Sequence, residues 1–178
     1  AVHNRFVHSL GVYHLGKIVT SIIKKPNEML DSSLDFERYK TIFEYACILH
    51  DVGHAPFSHT GEYFYLDDGS SRNELHKEIL NLTSDYSLKD EIEKRKYSAA
   101  PHELMSVIVA LKIFDSLFEN NEERSFFARC ILGYSYFNDI SLDKSFLNCM
   151  ISMLNSSLID VDKLDYLIRD AYITGFRS

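Results

Sequence analysis

The sequence has few of the residues that interrupt regular structure. Its 178 residues include only 7 glycines and 3 prolines, which is too few for the many turns of a fold built from short strands. Cysteine is also scarce. The three cysteines, Cys47, Cys130 and Cys149, are odd in number, and each lies in an apolar segment. We expect them to be reduced core residues of a cytoplasmic protein.

Long hydrophobic runs and an excess of positive charge are absent as well. No apolar run approaches the roughly 20 residues that span a bilayer, and the first residues lack the apolar segment of a signal peptide. The 19 Lys and Arg against 26 Asp and Glu leave a formal net charge of −7. This balance disfavours a nucleic-acid partner. It still allows a local basic pocket for a small anion.

The apolar residues recur at helical spacing. With 46% hydrophobic and 25% charged residues, the composition is that of a globular domain with a sizeable core. Residues 15–23 follow the i, i+3, i+4 pattern, and the polar stretches 67–72 and 83–100 are expected to form a surface excursion with short helices. Further helices are predicted over 36–54, 104–118, 126–137, 146–154 and 160–174. The sequence therefore predicts an all-α single domain over residues 1–178.

Histidines cluster near the end of the second predicted helix. His50, His54 and His59 fall within ten residues, and Asp51 follows His50 directly in an apolar segment. A buried carboxylate is costly unless something compensates it, and a divalent cation bound by imidazole and carboxylate does so. Because His54 lies four residues after His50, both are expected on one helical face.

Two distant segments contain residues that could complete such a site. His8 begins the first amphipathic helix, and Arg5 lies one turn before it. In the last helix, Asp162, Tyr166 and Asp170 are spaced i, i+4, i+8 and share one face. The alternative for that helix is an ordinary solvated charged face.

A second pair in the last helix has a simpler interpretation. Asp165 and Arg169 are spaced i, i+4 on another face. This spacing favours a structural ion pair.

These residues resemble a known signature. The ordered set of His8, the pair His50-Asp51, and Asp162 is similar to the H…HD…D pattern of HD-domain metal-dependent phosphohydrolases. The strings HNRFVHSLG, HDVGHAPFSHTGE and DVDKLDYLIRDAYITG resemble more narrowly the SAM-and-HD-domain deoxynucleotide triphosphohydrolases and related bacterial enzymes. The resemblance implies an all-α HD-domain helical bundle with a metal site in its core.

The resemblance also implies a cofactor and a reaction. It implies one divalent metal ion per chain, which could be Mn, Fe, Zn, Co, Ni or Mg. The implied metal ligands are His8, His50, Asp51 and Asp162. The implied reaction is hydrolysis of a dNTP to deoxynucleoside and triphosphate. The alternatives are an HD phosphatase or phosphodiesterase on another phosphate ester, and a regulatory HD module that binds nucleotide without turnover.

Further roles follow from the resemblance residue by residue. The implied catalytic residues are His54 and His59 along the phosphate channel, and the distal His102 with its acidic partner Glu62. Residues implied to bind substrate are Arg5 and Lys163 at phosphate, and Tyr166 and Asp170 at the sugar. Glu62 stands where the SAM-containing enzymes carry Asp. The resemblance further implies that the chain is the catalytic core of a longer, homo-oligomeric protein.

Overall fold

The chain folds into a bundle of α-helices. The computed structural model describes residues 4–27, 32–56, 60–62, 69–94, 99–137, 141–156 and 159–175. Within them lie eight α-helices: α1 (Arg5–Ile22), α2 (Phe36–Leu49), α3 (Gly69–Thr83), α4 (Tyr86–Lys94), α5 (Pro101–Ile113), α6 (Asn121–Leu132), α7 (Leu142–Leu154) and α8 (Val161–Thr174). No strand occurs in these ranges, and the predicted all-α class is confirmed.

Helix α6 forms the centre of the core. Phe126 and Phe127 on this helix are fully buried, as are Ile42 and Phe43 on α2. Burial of each such side chain contributes about 1.5–3 kcal/mol. Helix α6 packs against α2, α3, α5 and α7, whereas α1 packs against α2 and α8. This arrangement brings the first and last helices together at one side of the bundle.

Helix α1 buries a different face from the one that its apolar residues predict. Ile18 and Ile22 are 43% and 70% exposed. The buried positions recur every four residues, at His8, Val12, Gly16 and Thr20. A Cβ atom at Gly16 would lie 2.6 Å from Cys47 Sγ. Close packing of α1 on α2 therefore requires small residues at the contact and leaves larger ones outside.

Helix α2 ends before the histidine cluster. The sequence predicts a helix to residue 54, but α2 stops at Leu49 with His50 as its C-cap. The next residues form a turn, in which Val52 N donates to Leu49 O and His54 N donates to Asp51 O. The expectation that His50 and His54 share a helical face is therefore wrong.

The turn after α2 is held by its contact with α5. Gly53 N donates a 2.9 Å hydrogen bond to the buried Ser106 Oγ. A Cβ at Gly53 would lie 2.1 Å from Ser106 N. Only glycine therefore allows the backbone of this turn to approach α5 so closely.

Two other expectations are partly wrong. The stretch 83–100, predicted as part of a surface excursion, contains α4, whose Leu88 is fully buried. Cys47 and Cys130 are buried as expected, but Cys149 is exposed, because it lies on the outer face of α7. Among the described helices, none has the length and apolarity needed to cross a membrane.

A buried ion pair joins α6 to the loop before α4. Arg129 has no exposed surface, and its Nη2 donates a 3.0 Å hydrogen bond to Asp85 Oδ2. Asp85 also accepts from the Ser125 hydroxyl. Burial opposes the charged form of Asp85, but Ser125 and Arg129 outweigh it and lower the pKa of this carboxyl from 3.8 to about 2. Asp85 is therefore ionised in the folded protein down to strongly acidic pH.

We expect the contribution of Asp85 to the free energy of unfolding to depend on pH over a narrow acidic range. Because its pKa is lowered on folding, its contribution is fully present above its ordinary pKa of 3.8 and is lost as the pH falls toward 2. The contribution is about 2 kcal/mol. Urea unfolding of the wild type and of Asp85→Asn should give free energies of unfolding that differ at pH 5 and converge toward pH 2. A difference that does not change with pH would contradict the lowered pKa.

Candidate active site

The predicted site residues converge from four parts of the bundle. His8 lies in the first turns of α1, which begins where Asn4 Oδ1 accepts a hydrogen bond from Val7 N. Asp162 lies in the first turn of α8, which begins where Asp160 Oδ1 accepts from Lys163 N. The turn after α2 and the start of α5 complete the site. Side-chain caps therefore fix the position of two helix starts that carry site residues.

Three ligating side chains meet at the centre of the site. Asp162 Oδ1 lies 2.9 Å from His8 Nε2 and 3.6 Å from His50 Nε2. All three atoms are buried, and none makes a hydrogen bond. Buried polar atoms without hydrogen bonds are costly. Two imidazole nitrogens and a carboxylate oxygen in this arrangement could hold a divalent metal ion.

Hydrogen bonds fix the tautomer of both histidines. His50 Nδ1 lies 2.9 Å from the carbonyl oxygen of Cys47, and His8 Nδ1 lies 2.7 Å from Asp165 Oδ2. A carbonyl or carboxylate oxygen only accepts, so Nδ1 carries the proton in each ring. The Nε2 atoms of neutral His8 and His50 then have lone pairs available on the side of Asp162.

The electrostatics of the cluster favour a positive charge. Burial lowers the pKa values of His8 and His50, but nearby carboxylates, chiefly Asp162, outweigh it and raise both. Burial opposes ionisation of Asp162, but His50 and His8 lower its pKa. A divalent cation would supply the same compensating charge to the carboxylates.

Asp51 lies between this cluster and a second one. Its Oδ1 is 3.7 Å from His50 Nε2 and 3.3 Å from His54 Nε2. Arg5 Nη1 donates a 3.1 Å hydrogen bond to its Oδ2. Burial opposes ionisation, but His54, His50 and Arg5 lower the pKa of Asp51 to about 2. Asp51 is thus an ionised carboxylate that both groups of histidines share.

The second cluster is built around Glu62. His102 Nδ1 donates a 2.9 Å hydrogen bond to Glu62 Oε1, and the His54 ring stacks on His102 with centroids 3.9 Å apart. Burial and the neighbouring His54 lower the pKa of His102 despite the Glu62 carboxylate. The group Asp51, His54 and His102 has ligating atoms close enough to hold an ion as well. A single metal per chain therefore stays a prediction.

A cavity of about 210 Å³ opens onto the site. Its lining includes His50, Asp51, His102, Asp162 and Lys163. Three further polar lining residues, Glu103, Asn155 and Asp160, were not predicted from the sequence. A larger cavity, of about 470 Å³, lies beside Asp85 and Arg129 and is lined by none of the predicted site residues.

The predicted substrate-binding residues lie at different distances from the cluster. Lys163 Nζ contacts Asp160 Oδ2 at 2.6 Å and lines the cavity. Tyr166 stacks on His8 with centroids 4.4 Å apart. Asp170 is exposed and is not among the residues that line the cavity. His59 lies outside the described residues.

Asp165 makes a second contact that was not predicted from the sequence. The predicted ion pair exists, since Arg169 Nε donates to Asp165 Oδ2 at 2.6 Å. The same oxygen, however, also accepts from His8. The available signal was its spacing of three residues from Asp162, which brings the two carboxylates to neighbouring positions on α8.

Comparison with known proteins identifies the family of this chain. The sequence profile described as "HD domain" matches residues 5–131. The chain belongs to the HD domain family. The resemblance found in the sequence is therefore confirmed, and this membership supports the class of metal-dependent phosphohydrolases.

Several known proteins are similar to nearly the whole of this chain. An uncharacterized MG461 homolog of Mycoplasma pneumoniae is 29% identical over 98% of this chain and 32% of its own length. The uncharacterized protein YwfO of Bacillus subtilis is 29% identical over 98% of this chain and 30% of its own length. A deoxynucleoside triphosphate triphosphohydrolase SAMHD1 homolog of Dictyostelium discoideum is 27% identical over 98% of this chain and 28% of its own length. The chain thus spans about a third of the length of these relatives.

Proposed function

We propose that this chain is the catalytic domain of a metal-dependent phosphohydrolase that acts on a nucleotide, with a dNTP as substrate and triphosphate as a product. The observation that carries the proposal is the buried cluster of His8 Nε2, His50 Nε2 and Asp162 Oδ1, three ligating atoms without hydrogen bonds. A relative named as a deoxynucleoside triphosphate triphosphohydrolase supports the substrate class.

In this proposal, four side chains bind the metal: His8, His50, Asp51 and Asp162. A bound divalent metal supplies Lewis-acid polarisation of a phosphate oxygen and of water. Asp51 is ionised over the physiological range because its pKa is about 2, so it is available as an anionic ligand. The Nδ1 hydrogen bonds of the two histidines keep their Nε2 lone pairs available for the metal.

Cationic and aromatic side chains are proposed to bind the nucleotide beside the metal. Lys163 lines the cavity, and Arg5, whose side chain is 42% exposed, contacts Asp51, another lining residue. A guanidinium and an ammonium group can both bind phosphate oxygens. Tyr166 and Asp170 on α8 are proposed to contact the sugar. Positive charge of this kind in an acidic chain favours a small anionic substrate.

His102 is proposed to move a proton during hydrolysis. Its Nδ1 donates to Glu62, so the Nε2 atom of neutral His102 can accept a proton. The lowered pKa of His102 keeps the ring neutral at pH 7. His54 stacks on this ring and limits its rotation, and His59 is proposed to act at the same phosphate.

The first test is the metal content of the purified chain, followed by a nucleotide panel. Elemental analysis should find bound divalent metal, and chromatography after incubation of dNTPs with Mn²⁺ should find inorganic triphosphate. Turnover of another phosphate ester, with no turnover of any dNTP, would mean that this ester and not a nucleotide is the substrate. Metal and nucleotide binding without turnover would favour a regulatory module. Absence of metal under every loading condition would contradict the proposal.

His102→Ala should separate turnover from metal binding. We expect the variant to retain its metal and to lose about 10²- to 10⁴-fold in turnover, the range for an acid–base group. The measurements are metal content and kcat, with the exposed His14 replaced by alanine as a matched control. Loss of metal in His102→Ala would instead make His102 a ligand and the single-metal assignment wrong.

A further inference from the structure

A buried carboxylate that is not a predicted metal ligand contacts His8. Asp165 Oδ2 lies 2.7 Å from His8 Nδ1, on the opposite edge of the imidazole from Asp162, and the Asp165 side chain is only 7% exposed. Because the carboxylate accepts the Nδ1 proton, it leaves the Nε2 lone pair on the side of Asp162. The contact therefore sets which nitrogen of His8 can bind a metal.

Arg169 holds Asp165 and is itself anchored to the backbone of α1. Arg169 Nε donates a 2.6 Å hydrogen bond to the same Oδ2 atom, and Arg169 Nη2 donates a 2.8 Å hydrogen bond to the carbonyl oxygen of Val7. Val7 is the residue before His8. One guanidinium thus ties the carboxylate on α8 to the backbone of α1 beside the ring that the carboxylate holds.

Helix α1 has an opening for this pair. A Cβ atom at Gly11 would lie 1.9 Å from Asp165 Oδ1 and 2.3 Å from Arg169 Nη2. Any larger residue at position 11 would displace the carboxylate. Tyr166 stacks on the His8 ring at 4.4 Å, so the ring is held at its edge by Asp165 and on its face by Tyr166.

The other imidazole of the cluster is held differently. His50 Nδ1 donates to a neutral carbonyl oxygen, that of Cys47, whereas His8 donates to a carboxylate. A hydrogen bond to an ionised acceptor is stronger than one to a neutral acceptor and raises the basicity of the ring as a ligand. His8 is therefore the histidine whose metal-binding strength depends on a second acidic residue.

We propose that Asp165 is a positioning residue for the metal site. Supported by Arg169 in the opening at Gly11, it holds His8 in the tautomer and orientation that present Nε2 to the metal. This inference rests on the proposed function for the presence of the metal. It adds that metal affinity depends on a residue outside the ligand set.

The test is Mn²⁺ binding to the metal-stripped chain, measured by isothermal titration. Asp165→Leu should raise the Kd for Mn²⁺ about 10- to 100-fold, the range for losing such a partner. Asp165→Asn should have a smaller effect, because the amide oxygen still accepts from Nδ1. Gly11→Ala should weaken binding as well, although it alters neither the ligands nor the carboxylate. The control is Glu123→Gln. Glu123 is another buried carboxylate, ion-paired with Arg38, and its replacement should leave the Kd for Mn²⁺ unchanged.

A second readout does not require any metal. In the metal-free chain, at a pH where the imidazoles are neutral, the ring ¹⁵N shifts of His8 should show the Nδ1-protonated tautomer in the wild type. Asp165→Leu should lose that preference. If this variant does not fold because Arg169 is left unpaired, Asp165→Leu combined with Arg169→Leu removes the unpaired charge and serves in its place.

The outcomes distinguish this inference from the proposed function. An unchanged Mn²⁺ affinity and an unchanged His8 tautomer in the folded variant would overturn the positioning role. If the wild type binds no Mn²⁺, the proposed function fails, and the tautomer measurement alone decides whether Asp165 positions His8. Weaker binding with an altered tautomer, with the control unchanged, would establish the role.

Discussion

Asp162→Ala is expected to remove bound metal and to lower turnover by at least about 100-fold, the range for losing one electrostatic group of a catalytic site. The physical reason is that Asp162 Oδ1 lies against both His8 Nε2 and His50 Nε2. Without this carboxylate, Asp51 would be the only anionic ligand left among the four proposed. Elemental analysis of the purified variant and the triphosphate-release assay measure the two effects.

The matched control for Asp162→Ala is Asp90→Ala. Asp90 is an exposed carboxylate on α4 and is not among the residues that line the site cavity, so its removal changes the net charge equally without altering a site residue. Metal content and turnover should stay at wild-type levels in this control. An Asp162→Ala protein with wild-type metal content and activity would show that the metal lies elsewhere.

Gly53→Ala is expected to destabilise the protein more than any other single methyl addition discussed above. The new Cβ would lie 2.1 Å from Ser106 N and 2.4 Å from the Met105 carbonyl carbon, and backbone atoms cannot rotate away as a side chain does. Overpacking costs about 1–3 kcal/mol, and the lost hydrogen bond to Ser106 adds about 1 kcal/mol. Thermal unfolding should show Tm lower by about 5 to 15 °C.

Ser106→Ala separates the two contributions to this loss. It removes the hydroxyl that accepts from Gly53 N without a steric conflict, so we expect only the part due to the hydrogen bond, about 1 kcal/mol. Gly53→Ala should also weaken Mn²⁺ binding, because the displaced turn carries Asp51. A Gly53→Ala protein with wild-type Tm and metal affinity would refute the close approach to α5.

The helices could be predicted from the sequence because local spacing determines them. The periodic segments 104–118 and 146–154 overlap α5 and α7, with bounds that differ by up to five residues, and Asp160 marks the start of α8 by capping it. The end of α2 could not be predicted, because it depends on the contact between Gly53 and Ser106, which are distant in sequence. The buried face of α1 could not be predicted either, because α1 packs so close to α2 that the small Gly16 lies at the contact and the larger Ile18 lies outside it.

The candidate site could be predicted as a set of residues but not as an arrangement. Asp51 and Asp162 were recognisable from the resemblance, and the structure brings them together with His8. The contact of Asp165 with His8 could not be read from its spacing to Arg169, because this i, i+4 pair is present whether or not the carboxylate also reaches another helix. Only the packing of α8 against α1 shows that it does.

The meeting of α1 and α8 has a consequence for how the protein folds. His8 and Asp165 are separated by 157 positions along the chain, so their contact closes a loop that includes nearly the whole domain. Contacts of such long sequence separation carry a large closure entropy and form late or cooperatively. The metal cluster therefore cannot exist in a partly folded chain in which either terminal helix is undocked. A bound metal would in turn favour the fully closed bundle by mass action.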